Sequence, residues 1–187
     1  NGYISWAIQK YGGYTEANAQ EFSRIMQKKL GWSRYGNPKY VSAVYRYLVF
    51  SSNGKWGSPF VGKDWNSRVS SDFGWRTDPL NGKKAFHEGL DIAYPSGTKI
   101  HAVSGGVVTS VVYSKTGYGH HVRVDCGNGV TVLYAHCSKI LVTKGQSIST
   151  GQAIAEVGAT GRVTGAHLHL GVLVNGKEVN PREYIGG

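Results

Sequence analysis

Cysteine, acidic residues and long apolar runs are all scarce in this sequence of 187 residues. No window approaches the run of about 18 or more apolar residues that a membrane-spanning helix needs. The first residues also lack the basic start and the apolar centre of a signal peptide. We therefore expect a soluble chain without a transmembrane segment, long enough for one main domain and a smaller appendage.

The only two cysteines, Cys126 and Cys137, are expected to be free thiols. Residues 127–129, GNG, separate two β-branched runs, a pattern typical of a tight hairpin turn. Cys126 then lies beside the turn, whereas Cys137 lies roughly 20 Å away along the returning strand at about 3.3 Å per residue. A disulfide needs Cα atoms within about 7 Å of each other, so none is predicted.

Acidic residues number 11 against 21 lysines and arginines, which gives a formal net charge of +10. The basic residues are spread along the chain without a dense run, and the sequence has no helix-turn-helix, zinc-finger or RNP pattern. We expect general attraction to polyanions, with anionic cell-wall polymers as candidate partners, and no nucleic-acid partner.

Two short helices are predicted in the N-terminal region. Apolar residues recur at helical spacing over residues 15–31, where Gly31 can end a helix, and over residues 37–50, where Pro38 suits a first turn. Two such helices make a small core. The segment is therefore expected to dock on a neighbour or to belong to a larger domain, and its role is left open.

The composition changes after residues 51–59, SSNGKWGSP, which have the character of a linker. From Asp72 onward, short β-branched runs alternate with glycine-rich turns. Strands are expected at 89–93, 106–112, 121–126, 130–136, 153–157 and 167–174. The predicted fold class is mainly β: a compact antiparallel sheet or barrel-like domain preceded by a small α-helical segment. The predicted division is 1–52 as the helical segment, 53–68 as linker and entry, and 69–187 as the main domain.

Two histidines of the stretch GAHLHLGVLVNG lie on one face of a predicted strand. Side chains alternate along an extended chain, so His167 and His169 point one way and the leucine between them points the other. At roughly 6.5 to 7 Å apart they are too distant to bond each other. This spacing favours convergence on a third group.

A carboxylate partner for these histidines is found in AFHEGLDIAYP. His87 and Asp91 are four residues apart, which places them on one face if the segment is extended. With one histidine of the HLH triplet they form two imidazoles and one carboxylate, the ligand set of hydrolytic zinc with an open fourth position. The spacing does not choose between His167 and His169 as the third ligand.

His136 is the best further candidate for chemistry, because it ends a predicted strand in TVLYAHC, where loops and sites usually meet. His136 and the non-ligand histidine of HLH would then flank a water that the metal activates. His101, His120 and His121 lie in glycine-rich or turn-adjacent positions without a matching acid, and are interpreted as ordinary residues.

The chain resembles the lysostaphin-type (LytM-like) zinc metalloendopeptidases over residues 69–184. The resemblance is carried by the motifs H-x-x-x-D, Y-A-H and H-L-H, which occur in this order after SSDFGWR and before NPREYI. The resemblance implies that the main domain, residues 69–187, is a zinc endopeptidase domain. It implies one Zn²⁺ per chain with the ligands His87, Asp91 and His169, and a catalytic pair formed by His136 and His167.

The resemblance also implies hydrolysis of peptide bonds in bacterial peptidoglycan, in the cross-bridge or the stem peptide. The expected location is extracellular or at the cell wall, for a secreted, surface-borne or phage-borne protein. Some relatives carry a tyrosine before the first ligand that helps to hold the oxyanion, whereas residues 83–86 here are KKAF. The candidates to hold the oxyanion here are protonated His136 and His167, and also Arg76. The alternative interpretation of Arg76 is a structural residue packed on Trp75.

Two alternatives come from other functional classes. A non-catalytic cell-wall-binding or amidase-activating module of the same fold is disfavoured because all five functional positions are filled. A basic nucleic-acid-binding protein would show salt-dependent DNA affinity and no zinc requirement. The sequence leaves the scissile bond, the biological context and the oligomeric state open.

Overall fold

The computed structural model describes residues 56–185. The chain divides into two units, Asn1–Ser52 and Asn53–Gly187, and the described residues belong to the second. The helices predicted over 15–31 and 37–50 lie outside the described residues, and the three-part division of the chain stays a prediction. Among the described residues, no helix is long and apolar enough to cross a membrane.

Antiparallel strands are the main regular structure of the described residues. They are β1 (Val69–Ser71), β2 (Gly74–Thr77), β3 (Lys84–His87), β4 (Leu90–Ile92), β5 (Lys99–His101), β6 (Gly106–Val112), β7 (His120–Asp125), β8 (Val130–Ile140), β9 (Ser147–Ile148), β10 (Ala153–Val157), β11 (Leu168–Val174) and β12 (Lys177–Val179). The helical elements of this region are two 3₁₀ turns, Asn66–Arg68 and Pro181–Glu183. The mainly β fold class is therefore confirmed.

One sheet of ten strands carries the core of this unit. Its main path runs β1-β4-β11-β8-β7-β6-β9, with β12 on β11, β10 on β8 and β5 on β10. The remaining strands, β2 and β3, form a separate hairpin. Strand β8 is central, since it pairs with β7 and β11 and, near its end, with β10.

Apolar side chains of the two central strands form much of the core of this sheet. Val130, Val132 and Tyr134 of β8 are fully buried, as are Leu168 and Leu170 of β11. Full burial of such a side chain stabilises the fold by about 1.5–3 kcal/mol. The central strands are therefore held by their apolar faces.

The hairpin predicted between β7 and β8 is confirmed. Gly127, Asn128 and Gly129 all have positive φ, the backbone conformation that a tight hairpin turn requires. Cys126 and Cys137 are free and buried, as expected, and burial raises the pKa of their thiols to about 11 and about 12. Both thiols are therefore neutral at physiological pH.

Strand β8 does not end at His136 as the sequence predicted. It continues to Ile140, and His136 lies inside it with a φ of 64°. The pairing register with β7 shifts at this point, between the pairs of His120 and Val122. Strand β8 pairs with β11 up to Ala135 and with β10 from Cys137 onward, so His136 lies where the partner on that edge of β8 changes.

Candidate metal centre and cleft

The register between β4 and β11 places two of the predicted ligands directly opposite each other. His169 pairs with Asp91, and the flanking Leu168 and Leu170 are buried in the core. Residues opposite each other on antiparallel strands have Cβ atoms about 4.5–5.5 Å apart. The sheet alone therefore brings one imidazole and one carboxylate together.

His87 joins this pair from the end of β3. The sequence interpretation assumed one extended segment from His87 to Asp91, but the structure breaks the strand there and assigns the halves to different sheets. The short connection contains Gly89. A Cβ atom on Gly89 would lie 2.6 Å from Cε1 of His169 and 2.6 Å from the carbonyl oxygen of Leu170. The close approach of β3 to the other two ligands therefore requires glycine.

The three donor atoms lie slightly closer together than the ligand atoms of a tetrahedral metal site. Nε2 of His87 is 3.1 Å from both Oδ1 of Asp91 and Nδ1 of His169, and the latter two atoms are 2.8 Å apart. Ligands held at bond lengths of about 2.0–2.1 Å in a tetrahedron are about 3.3–3.4 Å apart. All three side chains are buried. The cluster therefore fits one small metal ion after slight expansion.

The backbone sets the protonation of His87. Its Nδ1 lies 2.8 Å from the carbonyl oxygen of Asp72, which can only accept, so Nδ1 donates this hydrogen bond. In the neutral ring, Nε2 then presents a lone pair to the Asp91 carboxylate. A lone pair facing an anionic oxygen at 3.1 Å is repulsive without a cation. The donor chemistry therefore also fits a metal ion.

Arg76 holds the second oxygen of Asp91. Nη2 of Arg76 lies 3.6 Å from Oδ2, which leaves Oδ1 to the cluster. Burial raises the pKa of the Asp91 carboxyl, but the adjacent His169 and His87 rings outweigh burial and hold the pKa well below its usual range. Arg76 lines the cleft, and the cation that lies over the Trp75 ring is Lys84. A role of Arg76 toward the oxyanion stays a prediction.

The predicted catalytic pair lies beside the cluster. The rings of His136 and His167 are 4.8 Å apart, and Nε2 of His167 is 3.7 Å from Oδ1 of Asp91. Nδ1 of His136 donates to the carbonyl oxygen of Thr160 at 2.8 Å, and Nδ1 of His167 donates to that of Gly165 at 2.9 Å. Both neutral rings therefore keep Nε2 as an acceptor.

The environment keeps His136 neutral. Burial lowers its pKa to about 4, although the hydrogen bond to the Thr160 carbonyl works in the opposite direction. Burial also lowers the pKa of His169. Burial therefore favours the uncharged form of both rings.

All five predicted site residues line one cleft of about 380 Å³. Tyr118, which the sequence analysis did not single out, also lines it. Its ring lies 5.4 Å from that of His169, and its hydroxyl donates to Oε2 of Glu88 at 3.0 Å. Burial and the Glu88 carboxylate raise the pKa of Tyr118 to about 12. The available signal was its place in GYG at 117–119, next to a strand.

The other histidines of the described region lie outside the donor cluster. His120 accepts a hydrogen bond from the N–H of Ser114, and His121 donates to the carbonyl oxygen of Gly119. Nδ1 of His101 lies 3.5 Å from the backbone nitrogen of Val61. Each of the three contacts a backbone atom of a loop.

The site has the features of a mononuclear metallohydrolase. Two imidazoles and a carboxylate lie together in a cleft on an antiparallel sheet, and two more imidazoles lie beside them. The sequence model of Peptidase family M23 matches residues 85–181, just over half of the chain, and the chain belongs to this family. The resemblance that the motifs indicated is thereby confirmed.

Named relatives and solved structures agree with this family. Peptidoglycan DD-endopeptidase ShyA of Vibrio cholerae is 43% identical over 114 residues, which cover 60% of this chain and 26% of that protein. A mutant of the catalytic domain of the prophage-encoded M23 protein EnpA of Enterococcus faecalis has a TM-score of 0.59 and 34% identity over 70% of this chain and 98% of that chain. A zinc-containing peptidase from Vibrio cholerae has a TM-score of 0.56 and 37% identity over 60% of this chain and 35% of that chain.

The chain spans about a quarter of the length of the curated relatives it matches. The likeness therefore concerns one domain of those proteins.

Proposed function

We propose that this protein is a zinc-dependent endopeptidase that hydrolyses peptide bonds of bacterial peptidoglycan. The observation that carries the proposal is the group of five residues in the cleft. Three of them offer donor atoms within 4.8 Å of one another, and two more imidazoles lie beside them. A wall-binding module would have no use for that set.

Zinc is the proposed ion because of the donor types. Two neutral imidazoles and one carboxylate are a common protein ligand set of hydrolytic zinc. The similar peptidase from Vibrio cholerae is described as containing zinc. When bound, zinc supplies a Lewis acid that makes water nucleophilic near neutral pH and polarises the scissile carbonyl.

The side chains around the cluster divide the proton transfers between them. His136, neutral and with Nε2 free to accept, takes a proton from the attacking water and can return one to the leaving amine. His167 also has Nε2 in the cleft, and once protonated it donates from Nε2–H to the developing oxyanion. Arg76 keeps the carboxylate of Asp91 oriented.

Peptidoglycan is the proposed substrate, and the cross-link between D-residues is the first bond to test. The 43% identical relative is named for that activity. The net charge of +10 favours approach to an anionic wall polymer. We also propose that the protein acts outside the cytoplasm or at the wall, where this substrate is found.

The test is digestion of purified sacculi by the zinc-loaded full chain, followed by mass spectrometry of the products. One sacculus preparation should carry direct stem-peptide cross-links and the other glycine cross-bridges. We expect cleavage of cross-linked dimers to monomers in the first preparation. The matched control is His136→Ala, which retains the three donors and should release no monomers.

Bound zinc without cleavage of either preparation would contradict the proposal and favour the non-catalytic wall-binding module. Cleavage of the glycine cross-bridges alone would contradict the cross-link between D-residues as the scissile bond. It would still agree with an endopeptidase that acts on peptidoglycan.

A further inference from the structure

Thr160 lies where three segments around the cleft meet. Its backbone oxygen accepts from Nδ1 of His136 at 2.8 Å. Its hydroxyl donates to the carbonyl oxygen of Cys137 at 2.9 Å and accepts from the N–H of His120 at 2.9 Å. One residue of the β10–β11 loop is therefore tied to β7, to β8 and to the His136 ring.

The carbonyl of Thr160 is also confined by close packing. A Cβ atom on Gly119 would lie 2.3 Å from this oxygen, and Gly119 has a φ of 61°. A Cβ atom on Gly161 would lie 2.4 Å from the carbonyl oxygen of Gly117. The two loops touch through glycines, and the side-chain hydrogen bonds of Thr160 tie the same residue to β7 and β8.

His136 needs such support because the sheet does not orient it regularly. It has a φ of 64°, which is uncommon for a residue with a side chain, and it lies where the register with β7 shifts. Its own N–H donates to the carbonyl oxygen of Tyr118 at 2.9 Å. The Thr160 carbonyl is therefore the contact that fixes the proton on Nδ1.

We propose that Thr160 is a positioning residue: its hydroxyl anchors the carbonyl that holds His136 as the Nδ1–H tautomer, with Nε2 left to act in the cleft. This inference rests on the proposed function, in which His136 transfers protons. Thr160 itself touches no reacting atom in this account.

The experiment compares Thr160→Val, which keeps the shape and removes the hydroxyl, with Thr160→Ser, which keeps the hydroxyl. Thr150→Val is the matched control, because the Thr150 hydroxyl also accepts from a loop N–H, that of Gly105 at 2.9 Å. Each variant is made in the full, zinc-loaded chain. The measurements are kcat, KM, zinc content and the long-range ¹H–¹⁵N spectrum of the His136 ring.

We expect Thr160→Val to lower kcat about 10- to 100-fold, the range typical of lost outer-shell support, with KM and zinc content unchanged. Its spectrum should show both ring nitrogens averaging between tautomers, whereas the wild type shows a protonated Nδ1. Thr160→Ser and Thr150→Val should keep wild-type kcat and the wild-type tautomer. If Thr160→Val does not fold, Thr160→Ala replaces it in the same comparison.

Wild-type kcat or an unchanged tautomer in the hydroxyl-free variant would overturn the inference, as would an equal loss of kcat in Thr150→Val. The proposed function fails separately: full turnover by His136→Ala would remove the role of His136 whatever Thr160 does.

Discussion

Backbone carbonyls set the protonation of three histidines in the cleft. Nδ1 of His87, His136 and His167 each donates to a carbonyl oxygen at 2.8 or 2.9 Å. A carbonyl oxygen cannot donate, so each neutral ring keeps its lone pair on Nε2. His87 then offers that lone pair to the three-donor cluster. His136 and His167 each have theirs available for a proton in the cleft.

Removing one cluster donor should abolish metal retention. In His87→Ala and His169→Ala two donors remain, and in Asp91→Asn the carboxylate becomes a neutral, weaker amide ligand. Zinc affinity should therefore fall by more than the 10- to 100-fold typical of outer-shell changes. His136→Ala should keep one zinc per chain while turnover falls about 10²- to 10⁴-fold, the usual contribution of a general acid–base group. Elemental analysis after dialysis, together with turnover, measures both effects. A one-to-one zinc content in Asp91→Asn would contradict the assignment of this ligand.

Gly89→Ala should disturb the cluster without changing any donor. The new Cβ would lie 2.6 Å from the His169 ring, and overpacking of this kind costs about 1–3 kcal/mol of folding free energy. Gly165→Ala is the control, since a Cβ there meets nothing within 4 Å. Urea unfolding and zinc titration of both variants check this. Equal stability of the two variants would show that the connection has room to adapt.

At the scale of elements, one wall of the cleft is built from three tied segments. Asp78, at the end of the β2–β3 hairpin, accepts two hydrogen bonds from the guanidinium of Arg162 at 2.9 and 3.0 Å. The N–H of Arg162 donates to the carbonyl oxygen of Gly117 at 2.9 Å. The hairpin and the loops 113–119 and 158–167 therefore share one junction.

This junction should weaken in acid. The bidentate hydrogen bond to Arg162 lowers the pKa of Asp78 from 3.8 to about 2. A lowered folded-state pKa contributes stability above the unfolded value of 3.8, and that contribution is lost as the pH falls through about 2. A double-mutant cycle of Asp78→Asn and Arg162→Gln should therefore show coupling in urea unfolding at pH 7 and less at pH 2. Coupling that is absent at pH 7, or equal at both pH values, would refute this.

The longer strands could be predicted because they are apolar, mostly β-branched runs bounded by glycine-rich turns. The predicted bounds 106–112 and 153–157 match β6 and β10. The short strands β1, β2, β3, β5, β9 and β12 were missed, because two to four residues cannot display a period. The extension of β8 beyond His136 depends on a backbone irregularity that no side-chain pattern encodes.

At the scale of the molecule, the fold brings together residues far apart in the sequence. The residue types predicted a metal site, but only the register of β4 with β11 shows that His169 faces Asp91. The choice of His169 over His167 as a ligand came from the family resemblance, since both histidines lie within 4 Å of Asp91. Tyr118 and Thr160 could not be predicted, because loop contacts place them in and beside the cleft.

The central claim is that His87, Asp91 and His169 jointly bind one zinc ion. Anomalous diffraction from crystals grown with zinc, recorded on both sides of the zinc absorption edge, tests it most directly. We expect one strong anomalous-difference peak at about 2.0–2.2 Å from Nε2 of His87, Oδ1 of Asp91 and Nδ1 of His169. A zinc peak bound elsewhere, with these three side chains uncoordinated, would contradict it.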